Sequence, residues 1–99
     1  MTREEVLQVL KDHEAELKQR GVAHAALFGS LARGEAGPKS DIDIMIDFDP
    51  EAPITMWDYV AVIRYVKGLF RRRKADVVNH GGMNKYILPT AERDAIYAF

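Results

Sequence analysis

The chain has 99 residues, 47% of them hydrophobic, and 14 Lys and Arg against 15 Asp and Glu, for a formal net charge of -1. A chain this short buries one modest core, so one globular domain over residues 1–99 is the expectation, with no room for a second. Near-neutral charge argues against direct nucleic-acid binding by the chain as a whole, and the absence of cysteine excludes disulfides, thiolate metal sites and a cysteine nucleophile.

The first 17 residues, MTREEVLQVLKDHEAEL, carry charges throughout and lack the apolar stretch of a signal peptide, and no run reaches transmembrane length. A cytoplasmic protein with no membrane part is expected. Residues 2–20 read as one amphipathic helix: Thr2 and Glu5 have capping-box spacing, and Val6, Leu10, His13 and Leu17 recur at helical intervals. Lys18 and Arg20 suit its C-terminal end, which Gly21 closes. His13 on that stripe reads as a partly buried packing residue. Val22 to Phe28 reads as a short buried strand, and His24 within it has the same bland reading.

Gly29 and Ser30 stand where that apolar run stops. A glycine ending a strand gives the backbone a φ closed to other residues and lets a ligand approach the main chain. Ser30 then opens a helical turn whose free N–H groups and hydroxyl suit an anion; taken alone, the pair reads better as a simple N-cap. Arg33, one helical turn on, is placed either to reach a phosphate or to lie solvated on the surface. Residues 33–39 are loop by their Gly and Pro content.

From Asp41 to Phe48 polar and apolar residues nearly alternate. Ile42, Ile44, Ile46 and Phe48 fall on one face of a strand, and Asp41, Asp43, Met45 and Asp47 on the other. Two carboxylates two positions apart on one face repel each other, and Asp is a poor strand residue. Water compensates them if the face is exposed, and a divalent cation does so if it lines a cleft. Both readings stand on the strand alone. Ser40 and Asp43 also match a helix-capping S-x-x-D, but the period-2 pattern that follows argues against a helix.

Residues 49–53 form a linker. A helix is expected from about Thr55, which has capping spacing to Asp58, to about Arg71, with Met56, Tyr59, Val60, Ile63, Val66 and Phe70 as its core face. Met56, Trp57 and Tyr59 read mostly as core rather than as a surface for a base or a partner. The cations at 71–74 read as a solvated helix end complementing the dipole rather than a phosphate or RNA site. Ala75 to Asn79 is a third strand, in which Asp76 is either a polar strand-end residue or a functional carboxylate. His80-Gly81-Gly82 turns the chain, with His80 as a loop residue. In the tail, Asn84 to Leu88 reads as a helical turn that Pro89 breaks, Thr90 as the cap of another turn, and Ala95 to Phe99 as a short strand. The sum is an α/β (α+β) fold: a small mixed sheet with helices packed on one face and the carboxylates on the other.

Gly29-Ser30, ten intervening residues and Asp41-x-Asp43 together resemble the signature of the minimal nucleotidyltransferases of the DNA polymerase β-like superfamily. The fuller run Gly29-Ser30-Leu31-Ala32-Arg33-Gly34, with Ser40-Asp41-Ile42-Asp43, resembles the antitoxin branch paired with HEPN-domain toxins in type VII toxin-antitoxin systems. The resemblance implies a nucleotidyltransferase fold with two Mg²⁺ ions held by Asp41, Asp43 and Asp76, the last as the third carboxylate on the neighbouring strand. It implies Gly29 and Ser30 on the β- and γ-phosphates of ATP, with Arg33 in support. It implies AMP transfer to a tyrosine hydroxyl of a HEPN toxin. Larger superfamily members add domains that grip template, base or acceptor, so here the acceptor is expected to come from another protein. A non-catalytic antitoxin that neutralises by stoichiometric binding is the alternative, and a free-standing transferase for a small molecule a third reading. The intact set Gly29, Ser30, Asp41, Asp43 and Asp76 favours the enzyme.

Overall fold

A four-stranded mixed sheet organises the fold: β1 (Val22–Phe28), β2 (Ile42–Phe48), β3 (Ala75–Asn79) and β4 (Ile96–Tyr97), in spatial order β3-β2-β1-β4. The computed structural model describes residues 2–35, 41–70 and 73–99. Ser40 with its capping reading, most of the loop before it, and Arg71 and Arg72 of the cationic run lie outside the described residues. β1 is antiparallel to both β2 and β4, whereas β3 is parallel to β2. A parallel pair needs a crossover, and helix α4 (Met56–Gly68) supplies it.

The alternation in β2 sets what is buried. Ile42, Ile44 and Ile46 are fully covered and share one core with Ala25 and Leu27 of β1, Val6 and Leu10 of α1 (Arg3–Asp12), Leu17 of α2 (Glu14–Gln19) and Val62 and Val66 of α4. Each such isoleucine stabilises the fold by roughly 1.5–3 kcal/mol relative to exposure. The opposite face carries Asp43, Met45 and Asp47. It is partly roofed by α5 (Leu88–Asp94), which lies against β1 and against the one-turn helix α3 (Gly29–Ala32). Among the described residues no helix is long and apolar enough to cross a membrane.

Four local expectations need correction. The helix over 2–20 breaks at His13, because the His13 ring Nδ1 lies 2.7 Å from the Val9 carbonyl that the backbone N–H would otherwise use, and that N–H turns to Leu10 at 3.2 Å. His13 does pack in part, edge-on to Tyr65 at 6.1 Å between ring centres. In α4 the Thr55–Asp58 capping box forms, but the helix stops at Gly68 and its buried stripe is Val62, Val66 and, just beyond the helix, Phe70. Met56 and Trp57, read as core, are 78% and 82% exposed, and Val60 is exposed too. Pro89 sits in the first turn of α5, where no N–H is needed, so it starts that helix rather than breaking one. The final strand is only Ile96–Tyr97, extended by the Ala98 N–H donating to the Ala25 carbonyl at 2.8 Å.

Candidate active site

Three neighbouring strands carry a row of residues in register across the sheet. Phe28 of β1 is opposite Asp43 of β2, and Asp43 is opposite Asp76 of β3. Adjacent strands lie about 4.8 Å apart, so the two carboxyl-bearing positions are immediate neighbours. Asp41 precedes the first residue of β2 and has the parity of Asp43. The sequence-derived carboxylates are therefore drawn to one end of β2 and β3.

Gly29 begins just past Phe28 with φ 77, in the left-handed region that disfavours side chains. It is closely faced by Asp43: a Cβ at position 29 would collide with Asp43 Oδ2 and come within 3.1 Å of its Cγ. Glycine is thus needed both for the turn and for the approach of the Asp43 carboxylate to the main chain. Ser30 follows in α3, half-buried, and its carbonyl accepts from the Glu35 N–H at 2.9 Å.

The charges in this corner are incompletely balanced. Burial, then the nearby Asp76 and Asp41 carboxylates, push the Asp43 pKa above its ordinary 3.8, against a smaller opposing pull from Arg33. Lys74 Nζ is 3.7 Å from Asp41 Oδ2, a loose and exposed pair. Arg33 is itself engaged: its Nε donates to Glu35 Oε2 at 2.9 Å and its guanidinium to Asp94 Oδ2 at 2.6 Å. Those two bonds raise the Arg33 pKa and strap α3 to the end of α5. Among the described residues no three His, Cys, Asp or Glu side chains stand as a ready-made metal cage.

Asp43 and Asp76 share the wall of an open cleft of about 630 Å³, within the range of small-ligand sites. Phe28 lines it beside Asp43, and beyond Asp76 it continues past Asn79, Met83, Asn84 and Ile87.

One residue of this face was not legible as functional or structural from its neighbours in sequence. His80, expected as a plain loop residue, has its Nδ1 2.7 Å from Asp47 Oδ1 and its Nε2 3.8 Å from Glu92 Oε1. It joins the turn after β3 to β2 and α5. The only available signal was the polar Asp47 on the carboxylate face, whose partner is 33 residues away.

The nucleotidyltransferase domain family matches residues 10–98. The protein adenylyltransferase MntA of Thermococcus cleftensis is 35% identical over 98 residues, covering 98% of this chain and 96% of its own. A solved structure described as a minimal nucleotidyltransferase superposes with a TM-score of 0.72 at 28% identity, over 97% of this chain and 95% of that one. The complex of a tri-AMPylated HEPN toxin with an MNT antitoxin from Shewanella oneidensis also shares the fold, with a TM-score of 0.62 at 12% identity over 94% of this chain and 71% of that one.

Proposed function

Because this chain belongs to the nucleotidyltransferase domain family as a minimal member, we propose that it is a single-domain adenylyltransferase antitoxin that moves AMP from ATP to a tyrosine hydroxyl of a HEPN-domain toxin. The observation that carries the reading is the register of Asp43 with Asp76 together with the close approach of Gly29 to Asp43, which sets a tight, side-chain-free turn beside neighbouring carboxylates. The name of the Thermococcus cleftensis relative supports adenylyl transfer, and the shared fold of an antitoxin whose HEPN toxin carries AMP supports the partner.

Asp41, Asp43 and Asp76 fit Mg²⁺ by their chemistry: they are hard oxygen donors, and the raised Asp43 pKa reflects negative charge that a cation would relieve. Two bound Mg²⁺ ions would neutralise the triphosphate and ease ionisation of the attacking hydroxyl. The chain's own part is positional. Gly29 and Ser30 hold the β- and γ-phosphates, with Arg33 in support, and orient the α-phosphorus over Asp43. The acceptor oxygen forms a bond to that phosphorus, its bond to the β-phosphate bridge breaks, pyrophosphate leaves, and the hydroxyl proton passes to solvent at the Asp76 end. Orientation and charge neutralisation supply most of the acceleration in such transfers. The reaction takes place in the cytoplasm and involves no direct contact with nucleic acid.

Incubating this chain, Mg²⁺ and its cognate HEPN-domain toxin with ATP labelled either on the α- or on the γ-phosphorus tests the reading. Label reaching the toxin from the α-position alone supports it, and label from the γ-position alone, or from neither, refutes it. The competing reading is that the chain neutralises the toxin by stoichiometric binding alone, and it expects label from neither position on a neutralised toxin.

A further inference from the structure

Every carbonyl of the one-turn helix α3 is hydrogen-bonded, and one of those bonds comes from the start of the chain. A helix leaves its last four carbonyls without partners inside it, so in a helix of four residues each carbonyl needs a donor from beyond. The chain that follows supplies three. The Arg33 N–H donates to the Gly29 carbonyl at 3.2 Å, the Gly34 N–H to that of Leu31 at 3.1 Å and the Glu35 N–H to that of Ser30 at 2.9 Å, with Gly34 at φ 76 in the left-handed conformation that closes such a turn. The fourth carbonyl, on the buried Ala32, is taken by a side chain 29 residues away: Arg3 Nη1 donates to it at 3.0 Å.

Arg3 is poorly placed for the helix it belongs to. It is the first residue of α1, just after the Thr2 cap, where the helix dipole favours the acidic Glu4 and Glu5 that follow and disfavours a cation. Its pair with Glu4, at 3.4 Å and exposed, offsets little of that. At the tip of its side chain the sign reverses, because the guanidinium meets the C-terminal end of α3, where a cation is favoured. A residue that works against its own helix and in favour of another serves the second.

We infer, on the basis of the proposed nucleotide role of Gly29 and Ser30, that Arg3 is a positioning residue: through the Ala32 carbonyl it fixes the tilt of α3, and so the place of the Gly29–Ser30 turn against Asp43. The turn has little slack to absorb a tilt, since Gly29 is closely faced by the Asp43 carboxylate. Arg33 straps α3 to Asp94 of α5, and Arg3 adds the tie to α1. Misplacement on the order of 1 Å at a transfer site costs about a hundredfold in rate, so a hold remote from the reacting atoms bears on them directly.

The test compares the full chain as wild type, Arg3→Ala and Arg3→Lys in three readouts: the Kd for ATP with Mg²⁺ by calorimetry, the KM for the cognate HEPN-domain toxin in AMP transfer, and amide hydrogen exchange of the ligand-free protein. Arg3→Ala is expected to raise the ATP Kd about tenfold and to speed exchange at the Arg33, Gly34 and Glu35 amides by a similar factor, with α1, the sheet and the toxin KM unchanged. Arg3→Lys, which keeps a charged donor, should restore most of both. An ATP affinity unchanged in Arg3→Ala would overturn the inference. Weaker ATP binding with wild-type exchange at those three amides would make Arg3 a direct phosphate contact, and faster exchange throughout the sheet would make it a general structural residue; either result overturns it as well. A wild type that binds ATP but transfers no AMP would refute adenylyl transfer, with the Kd and exchange results still deciding the role of Arg3, whereas a wild type that does not bind ATP would overturn both.

Discussion

Gly29 and Asp43 are packed so closely that the Asp43 carboxylate fills the space a side chain at position 29 would need. The contact links the turn after β1 to the acidic strand β2, and it makes the glycine doubly necessary, by its φ of 77 and by the lack of room. Gly29→Ala is expected to lower the unfolding free energy by roughly 1–3 kcal/mol, and also to displace the Asp43 carboxylate. Urea denaturation beside ATP binding checks both. A variant of wild-type stability and affinity would mean that the turn adapts without cost.

Asp43→Asn is expected to abolish AMP transfer while stabilising the metal-free protein slightly. The sign follows from the raised pKa: an Asp whose folded value exceeds its ordinary 3.8 is penalised when ionised, and the relief from protonation is full below 3.8 and lost as pH rises through the folded value. The melting temperature of Asp43→Asn should therefore exceed that of wild type at neutral pH in a chelator. The gap should close as pH falls toward 3.8. A melt several degrees below wild type at neutral pH would make Asp43 a structural residue.

His80 bonds Asp47 through a short contact of 2.7 Å on a half-buried face. His80→Ala should lower stability by about 1 kcal/mol, the usual net worth of such a bond. Denaturant unfolding at neutral pH reads it. No change would reduce the pair to a surface contact.

Arg33 is shared between two carboxylates, and the Asp94 partner competes with any phosphate for it. Arg33→Ala should weaken ATP binding by roughly three- to tenfold, and Asp94→Ala should move affinity the other way. Titration calorimetry with ATP and Mg²⁺ decides. Equal affinities in all three proteins would leave Arg33 as a strap between α3 and α5 only.

What sequence reading recovered, and what escaped it, follows the range of the interactions. β1, β2 and β3 were legible because apolar runs, period-2 alternation and the Gly29 stop are local signals, and Asp76 fell opposite Asp43 because β3 pairs in parallel with β2. Both capping boxes, Thr2–Glu5 and Thr55–Asp58, were legible for the same reason. The break at His13 was not, since it depends on a ring reaching back to a carbonyl in a segment whose periodicity is intact. The buried stripe of α4 was read correctly at Ile63, Val66 and Phe70 but not at Met56 and Val60, which are exposed, nor at Val62, which is buried: apolar residues at 56, 60, 62, 63 and 66 allow more than one face, and packing against β3 makes the choice. His80–Asp47 and Arg33–Asp94 are pairings across 33 and 61 residues, which no local pattern announces.

In the proposed function, covalent modification rather than binding neutralises the partner. Adding AMP to a hydroxyl would convert a neutral group on the toxin into a bulky phosphodiester anion. Intact-mass spectrometry of the toxin after incubation with this chain, ATP and Mg²⁺, beside the Asp43→Asn variant, tests it most directly. Wild type alone should give a mass gain of one or more AMP groups and a toxin that stays inactive once the antitoxin is removed. An unmodified toxin, fully neutralised by Asp43→Asn, would contradict it.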